Sequence, residues 1–204
     1  AESRFQTAMK TEKMVNESSP LIAETHYQLA KLYSKREQIE NEKIWLERCI
    51  NSAEEAHHGL QTAIAKNRMF WLKYKIDEIN WDESTEECEL IIEHLKVYKT
   101  HTWALRTLID TNIKAVKVLE KHDNAYLASD YLHENLSILR KNQNLRRGSD
   151  LDRILKTLAG LQKFSSDIDK QDYWSLLESE FTEAKEFSVT RKLSNYEEAW
   201  NLEI

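Results

Sequence analysis

The chain contains almost none of the residues that make sharp turns, since only three glycines and one proline occur among its 204 residues. Tight β-hairpins and phosphate-binding loops depend on such residues. Charged residues make up 31% and apolar residues 41% of the sequence, a balance that suits amphipathic helices. The sequence therefore predicts an all-α protein, and its length is sufficient for one domain with a substantial core.

Polar interruptions divide the chain into long helical stretches. Pro20 can open a helix, and apolar residues then recur at steps of three and four as far as Ile79. Such a helix of about sixty residues would be about 90 Å long. Ser84 is predicted to cap a second helix of similar length that ends near Leu145, and a third helix follows Gly148.

These interruptions are short, so neighbouring helices are predicted to run antiparallel. The expected architecture is a single domain over residues 20–204, in which three long, kinked helices form an elongated coiled coil. Residues 1–19 are predicted to be a separate amphipathic segment. No repeat of fixed length is visible in the sequence.

The sequence also predicts where the protein resides. It has no run of eighteen apolar residues and no secretory leader, so we expect a soluble, cytoplasmic protein. Cys49 and Cys88 stand among leucines and isoleucines, which predicts small core residues in a reducing compartment.

A dimer is expected from the first predicted helix. Arg36, Lys43 and His57 fall on its otherwise apolar seam, and the six tryptophans of the chain need shelter from water. Part of this surface is therefore predicted to pack against a second copy.

The net charge of −6 argues against a general affinity for anionic partners, unless the positive charge is segregated. Cations are in fact concentrated in three places: a segment of the first helix without acidic residues, one side of the second helix, and the turn that follows it. On a helical wheel, the second group occupies a sector of about 80°. The predicted anion-binding residues are Lys66, Arg68, Lys73 and Lys75 in the first group, Lys96, Lys99, Arg106, Lys114, Lys117 and Lys121 in the second, and Arg140, Lys141, Arg146 and Arg147 in the third.

The first two groups are predicted to form one patch. If the first turn is centred near residue 82, antiparallel pairing places Arg68 beside Lys96. The alternative is that these lysines form a solvated face that keeps the protein soluble.

Metal binding and catalysis are not predicted. Glu54 and His57 have the Glu-x-x-His spacing of di-iron helix bundles, but the nearest second pair, Asp130 and His133, carries the wrong acid. No glycine-rich loop or nucleophile elbow is present. We therefore expect no enzyme activity and no cofactor. Nucleic acid is not an expected partner either, because the lysine stripe has few arginines or stacking aromatics.

These features together resemble the BAR domain of sorting nexins. The stretch Ile92–Leu139, which includes TLIDTNIKAVKVL at residues 107–119, resembles the second helix of that group. Residues 178–187, ESEFTEAKEF, resemble the start of its third helix. The resemblance covers residues 21–204 and implies a dimer, either of two copies or with a related BAR-domain chain.

The resemblance also implies a function. In that family the concave face and the tips of a curved dimer bind anionic membrane, so the group from Lys96 to Lys121 would be concave and the group from Arg140 to Arg147 would form the tip. The family also has an amphipathic helix just before these helices, which the resemblance places at residues 5–15. The implied role is to sense or induce curvature in endosomal sorting, as a peripheral protein on the cytoplasmic side of endosomal membrane. The alternative is a coiled-coil scaffold or tethering-complex subunit that binds other proteins.

Overall fold

The computed structural model describes residues 2–15, 19–122, 124–142, 145, 154 and 157. Within this part of the chain all regular elements are helical and no strand occurs, which confirms the predicted all-α class. The chain divides into two compact units, Ala1–Thr107 and Leu108–Ile204. The α-helices of the described residues are α1 Glu2–Val15, α2 Pro20–Ser34, α3 Ile39–Glu55, α4 Gly59–Lys75, α5 Trp81–Val97, α6 Thr102–Leu119 and α7 Ala125–Lys141, with a 3₁₀ turn at Glu120–His122.

The first predicted long helix is in fact three helices, α2, α3 and α4, so the prediction of one helix from Pro20 to Ile79 is wrong. After each of them, a residue other than glycine takes a left-handed backbone conformation: Glu37 at φ 57°, His57 at φ 52° and Asp77 at φ 56°. Glycine usually takes this place at a helix end. The regular spacing of these turns, at residues 37, 57 and 77, is therefore invisible when only glycine and proline are read as turn signals.

Polar side chains cap the N-termini of helices α2 and α5. Ser19 Oγ accepts a hydrogen bond at 3.3 Å from the backbone N–H two residues on, and Pro20 opens α2 as predicted. Helix α5 begins earlier than predicted, because Asn80 Oδ1 accepts a hydrogen bond from the N–H of Glu83 at 2.9 Å. Ser84, the predicted cap, lies buried inside the helix.

Helices α3 and α4 lie antiparallel in the first unit. Gln61 Nε2 donates to Cys49 Sγ at 3.5 Å, and Arg68 pairs with Glu42 at 2.7 Å. Residue numbers therefore fall along α3 as they rise along α4. Helix α2 packs on α3 through His26, whose Nδ1 lies 3.2 Å from the carbonyl oxygen of Arg48 in α3. Fully buried side chains of this unit include Leu29 of α2, Leu46 of α3, Ile64 and Phe70 of α4, and Ile92 and Leu95 of α5.

Helices α4 and α5 are also antiparallel, and their two ends are joined differently. Near the turn, Trp71 stacks on Trp81 with ring centroids 6.5 Å apart. The indole N–H of Trp71 donates to Asn67 Oδ1 at 3.2 Å, so this buried ring keeps a hydrogen-bond partner. At the far end, the Tyr98 ring lies directly over Gly59. The absence of a side chain at Gly59 allows this close approach.

The second predicted long helix is also divided, because α5 ends at Val97, α6 ends at Leu119 and α7 begins at Ala125. In the second unit, two fully buried asparagines join α6 to α7. Asn112 Nδ2 donates to Asn135 Oδ1 at 3.0 Å, and Asn135 in turn donates to a carbonyl oxygen of α6 at 3.2 Å. Buried amides are costly without partners, so this pair favours one register of α6 against α7. The predicted third helix falls largely outside the described residues.

Both cysteines are fully buried and free, as predicted for core residues. Burial raises the pKa of the Cys49 thiol to about 11 and that of the Cys88 thiol to about 12. Protonated thiols are poor nucleophiles, so both side chains have a packing role.

We expect the two thiols to make the protein less stable at alkaline pH. Unfolded thiols have the ordinary pKa of 9.0, so above that pH the unfolded state has lost protons that the folded state retains. The thiol contribution to stability is complete below about pH 9 and declines as the pH rises toward about 11. Urea unfolding at about pH 8 and about pH 10 should show a larger loss for the wild type than for the Cys49→Ala/Cys88→Ala variant. Equal losses would contradict this prediction.

Gly59→Ala is expected to displace the Tyr98 side chain, which offsets the stability of about 0.4–1 kcal/mol that alanine usually gains over glycine at a compatible position. A β-carbon at this position would collide with the Tyr98 hydroxyl. In a Tyr98→Ala background the obstacle is gone, and the same substitution should stabilise the protein. Urea unfolding of the four proteins of this double-mutant cycle measures the coupling. Additive effects of the two substitutions would show that the two residues do not touch.

Candidate binding surfaces

Two of the four cations predicted on the first helix pair with acidic residues of α3. Lys66 Nζ lies 2.8 Å from Glu54 Oε1, and Arg68 Nη2 lies 2.7 Å from Glu42 Oε1. A segment without acidic residues in the sequence is therefore partly neutralised by the preceding helix. The other two cations of the group are the half-buried Lys73 and the exposed Lys75.

The pair of Arg68 with Glu42 belongs to the core of the first unit. Glu42 is only 5% exposed, and Arg68 donates to one of its oxygens from both Nε and Nη2. The guanidinium lies 5.8 Å above the Tyr27 ring, which packs edge-on against Trp103 with centroids 5.5 Å apart. Burial raises the pKa of the Tyr27 hydroxyl, and the neighbouring guanidinium opposes that rise. Side chains from α2, α3 and α4 thus meet around one cation, and Trp103 of α6 packs on the Tyr27 ring of that cluster.

The register of α4 against α5 differs from the predicted one. Tyr98 lies over Gly59, so the end of α5 faces the first residue of α4. Arg68 lies further along α4 and pairs with Glu42 of α3. The prediction that Arg68 neighbours Lys96 is therefore wrong, because the chain turns before Trp81 and not at residue 82.

The second group of cations does not follow one helix. Lys96 lies near the end of α5 and pairs with Glu93 at 2.9 Å, whereas Lys99 is exposed in the turn that follows. Arg106 is half-buried on α6. The predicted continuous stripe is wrong because a helical wheel relates residues only within one helix, and α5 ends at Val97.

Three exposed lysines of the second unit form what we call the α6 basic group. Lys114 and Lys117 lie on α6, and Lys121 lies in the 3₁₀ turn that follows. Partial burial raises the pKa of the nearby Glu120 carboxyl, and the charge of Lys117 opposes that rise. This group keeps three of the predicted cations close together in the chain and open to solvent.

Half of the third predicted group lies beyond what the structure describes. Lys141 is exposed at the last residue of α7, and Arg140 precedes it in the same helix. Arg146 and Arg147 lie outside the described residues, as does the stretch 178–187.

Several of the residues that predicted a dimer have other places in the first unit, whereas Trp174 and Trp200 lie outside the described residues. Arg36 and His57 lie in the turns after α2 and α3, not on a continuous apolar seam. Lys43 lies on α3, where its Nζ is 2.7 Å from Glu78 Oε1. Trp71 and Trp81 are buried within the unit.

The outward face of α5 was not predicted as a binding surface. The opposite, buried face carries Trp81, Cys88 and Leu95. The outward side has Leu90 and Val97, whose side chains are 70% and 72% exposed. Its exposed residues recur at steps of three and four, at positions Glu83, Glu86, Leu90, Glu93 and Val97. This near-heptad spacing is visible in the sequence, but only the helix boundaries separate it from the buried stripe.

Metal-binding geometry is not found among the described residues, where no group of three or more His, Cys, Asp or Glu side chains is placed to hold an ion. His57 stands in the turn after α3, so Glu54 and His57 do not project from one helix face. None of the described helices has the length and apolar character needed to cross a membrane. Neither protein-family models nor curated proteins match the chain.

Arg68→Ala is expected to destabilise the protein strongly, by about 3–5 kcal/mol, because it leaves the buried Glu42 carboxylate without its counter-ion. Lys66→Ala is the matched control, since it breaks an exposed pair with Glu54 that contributes about 0–1 kcal/mol. Urea unfolding compares the two variants with the wild type. Similar losses in both would contradict the buried role of Arg68.

Proposed function

We propose that this chain is a protein-binding scaffold built from short antiparallel helices. The observation that carries the proposal is the row from α2 to α5, in which each helix packs against the next and turns recur at residues 37, 57 and 77. Helix pairs that stack in sequence are the building units of helical-repeat proteins, which use their outer faces to bind partners.

The placement of charge supports the same proposal. Lys66 and Arg68 pair with acids of α3, and Lys96 pairs with an acid of its own helix. Each of these three cations has an acidic partner within the first unit, so less of the predicted positive charge remains to attract an anionic surface. The exposed Leu90 and Val97 add an apolar surface of the kind that protein partners cover.

A second candidate function is binding to anionic intracellular membrane, and the α6 basic group is the observation that favours it. Three exposed lysines close together can contribute to attraction by anionic lipid. The more specific form of this candidate is a BAR-like module of three long helices that senses or induces curvature on endosomes. It would act as a homodimer or as a heterodimer with a related chain. Helices of 14 to 18 residues in the described chain favour the scaffold over this form.

Liposome co-sedimentation distinguishes the two candidates. A scaffold should remain in the supernatant with both neutral and anionic liposomes. A membrane-binding protein should sediment with anionic liposomes, and Lys114→Glu/Lys117→Glu/Lys121→Glu should weaken that binding by about a hundredfold. The matched control is Lys10→Glu/Lys31→Glu/Lys35→Glu, which changes the net charge equally at exposed positions of the first unit.

The scaffold proposal also needs a positive result. A photo-crosslinking residue at position 90, 21 or 126 of the full chain samples three exposed apolar positions. Reproducible protein adducts at one or more of these positions, competed by excess unlabelled chain, are expected. Lipid-dependent sedimentation of the wild type without any protein adduct would favour the membrane function.

A further inference from the structure

Helix α5 has two opposite faces that both carry large apolar residues. On a helical wheel that starts at Trp81, the buried residues centre near 330°, whereas Leu90 and Val97 lie near 180° and 160°. The two outward residues are one heptad apart, about 10 Å along the helix axis. They lie on the side of α5 away from its packed face, and they are 70% and 72% exposed.

Acidic residues flank the Leu90 end of this apolar pair. The exposed side chains on either side of Leu90 are Glu86, Glu87, Glu89 and Glu93. Glu93 is the residue that pairs with Lys96, which leaves the surface negative. We call this surface, made of Glu86, Glu89, Leu90, Glu93 and Val97, the α5 stripe.

The charge of the α5 stripe determines what can cover it. A symmetric contact between two copies would place the same acidic residues against each other, because a two-fold interface uses one patch on both subunits. Like charges that face each other across a contact are destabilising. Anionic lipid is disfavoured for the same reason. A partner surface must therefore combine apolar side chains with positive charge.

We propose that the α5 stripe binds an amphipathic helix of a partner protein, with apolar residues at heptad spacing and lysines or arginines beside them. Leu90 and Val97 would pack between the apolar residues of that helix, as side chains do along a two-helix seam. The flanking glutamates would select basic partners and speed their association. This inference rests on the proposed scaffold function and specifies one of its surfaces.

The probe is a synthetic 21-residue helix with leucines at positions a and d and lysines at e and g, labelled for fluorescence anisotropy. We expect the full chain to bind it at least tenfold more tightly than an otherwise identical peptide with glutamates at e and g. Leu90→Ser/Val97→Ser should weaken binding of the lysine peptide at least tenfold. The matched control is Leu21→Ser, at a position that is 61% exposed on α2, and it should change binding less than twofold. Circular dichroism checks that each variant keeps its helicity.

The possible results lead to different conclusions. Equal binding of the lysine peptide by the wild type and Leu90→Ser/Val97→Ser would mean that the peptide is held by charge alone, and it would overturn the proposed site. Failure of the wild type to prefer the lysine peptide would also overturn it. In either case, protein adducts from positions 21 or 126 would leave the scaffold function standing. Their absence, together with sedimentation on anionic liposomes, would remove the scaffold function as well.

Discussion

The ion pair between Arg68 and Glu42 is the interaction on which the packing of the first unit depends. Its carboxylate is almost completely buried, so an unpaired charge there would be far less stable than the paired one. Because the guanidinium also covers the Tyr27 ring, α2, α3 and α4 are held in one relative register. Trp103 extends the cluster to the start of α6. A purely apolar contact would tolerate sliding between helices more readily than this pair does.

The same register explains how the turns between helices α2 and α5 form without glycine in the left-handed position. A left-handed residue other than glycine costs about 1–2 kcal/mol, so it persists where packing on both sides outweighs that cost. The turn at Glu37 lies between α2 and α3, whose side chains meet at His26 and Ser52. The turn at Asp77 is held by the stacked rings of Trp71 and Trp81. Local strain is thus balanced by contacts that are distant in the sequence.

The surfaces of the protein differ in charge, and the difference follows from how its cations are used. In the first unit, lysines and arginines pair with glutamates across helices, while the outward glutamates of α5 remain exposed around Leu90 and Val97. In the second unit, the lysines of the α6 basic group remain exposed. A chain with a net charge of −6 therefore has at least two chemically different surfaces, and the acidic one combines charge with exposed apolar residues.

By itself, the sequence determined the helical class, the cap of α2 and the burial of both cysteines. Each depends on local chemistry: the scarcity of turn residues, a serine before a proline, and thiols within an apolar pattern. It did not determine where the helices end, because Glu37, His57 and Asp77 give no glycine signal. Nor did it determine which cations are exposed, because the partner of Arg68 lies 26 positions away on another helix. Only the tertiary structure decides such pairings, since the energy of a charge depends on its burial and on the neighbours that folding brings to it.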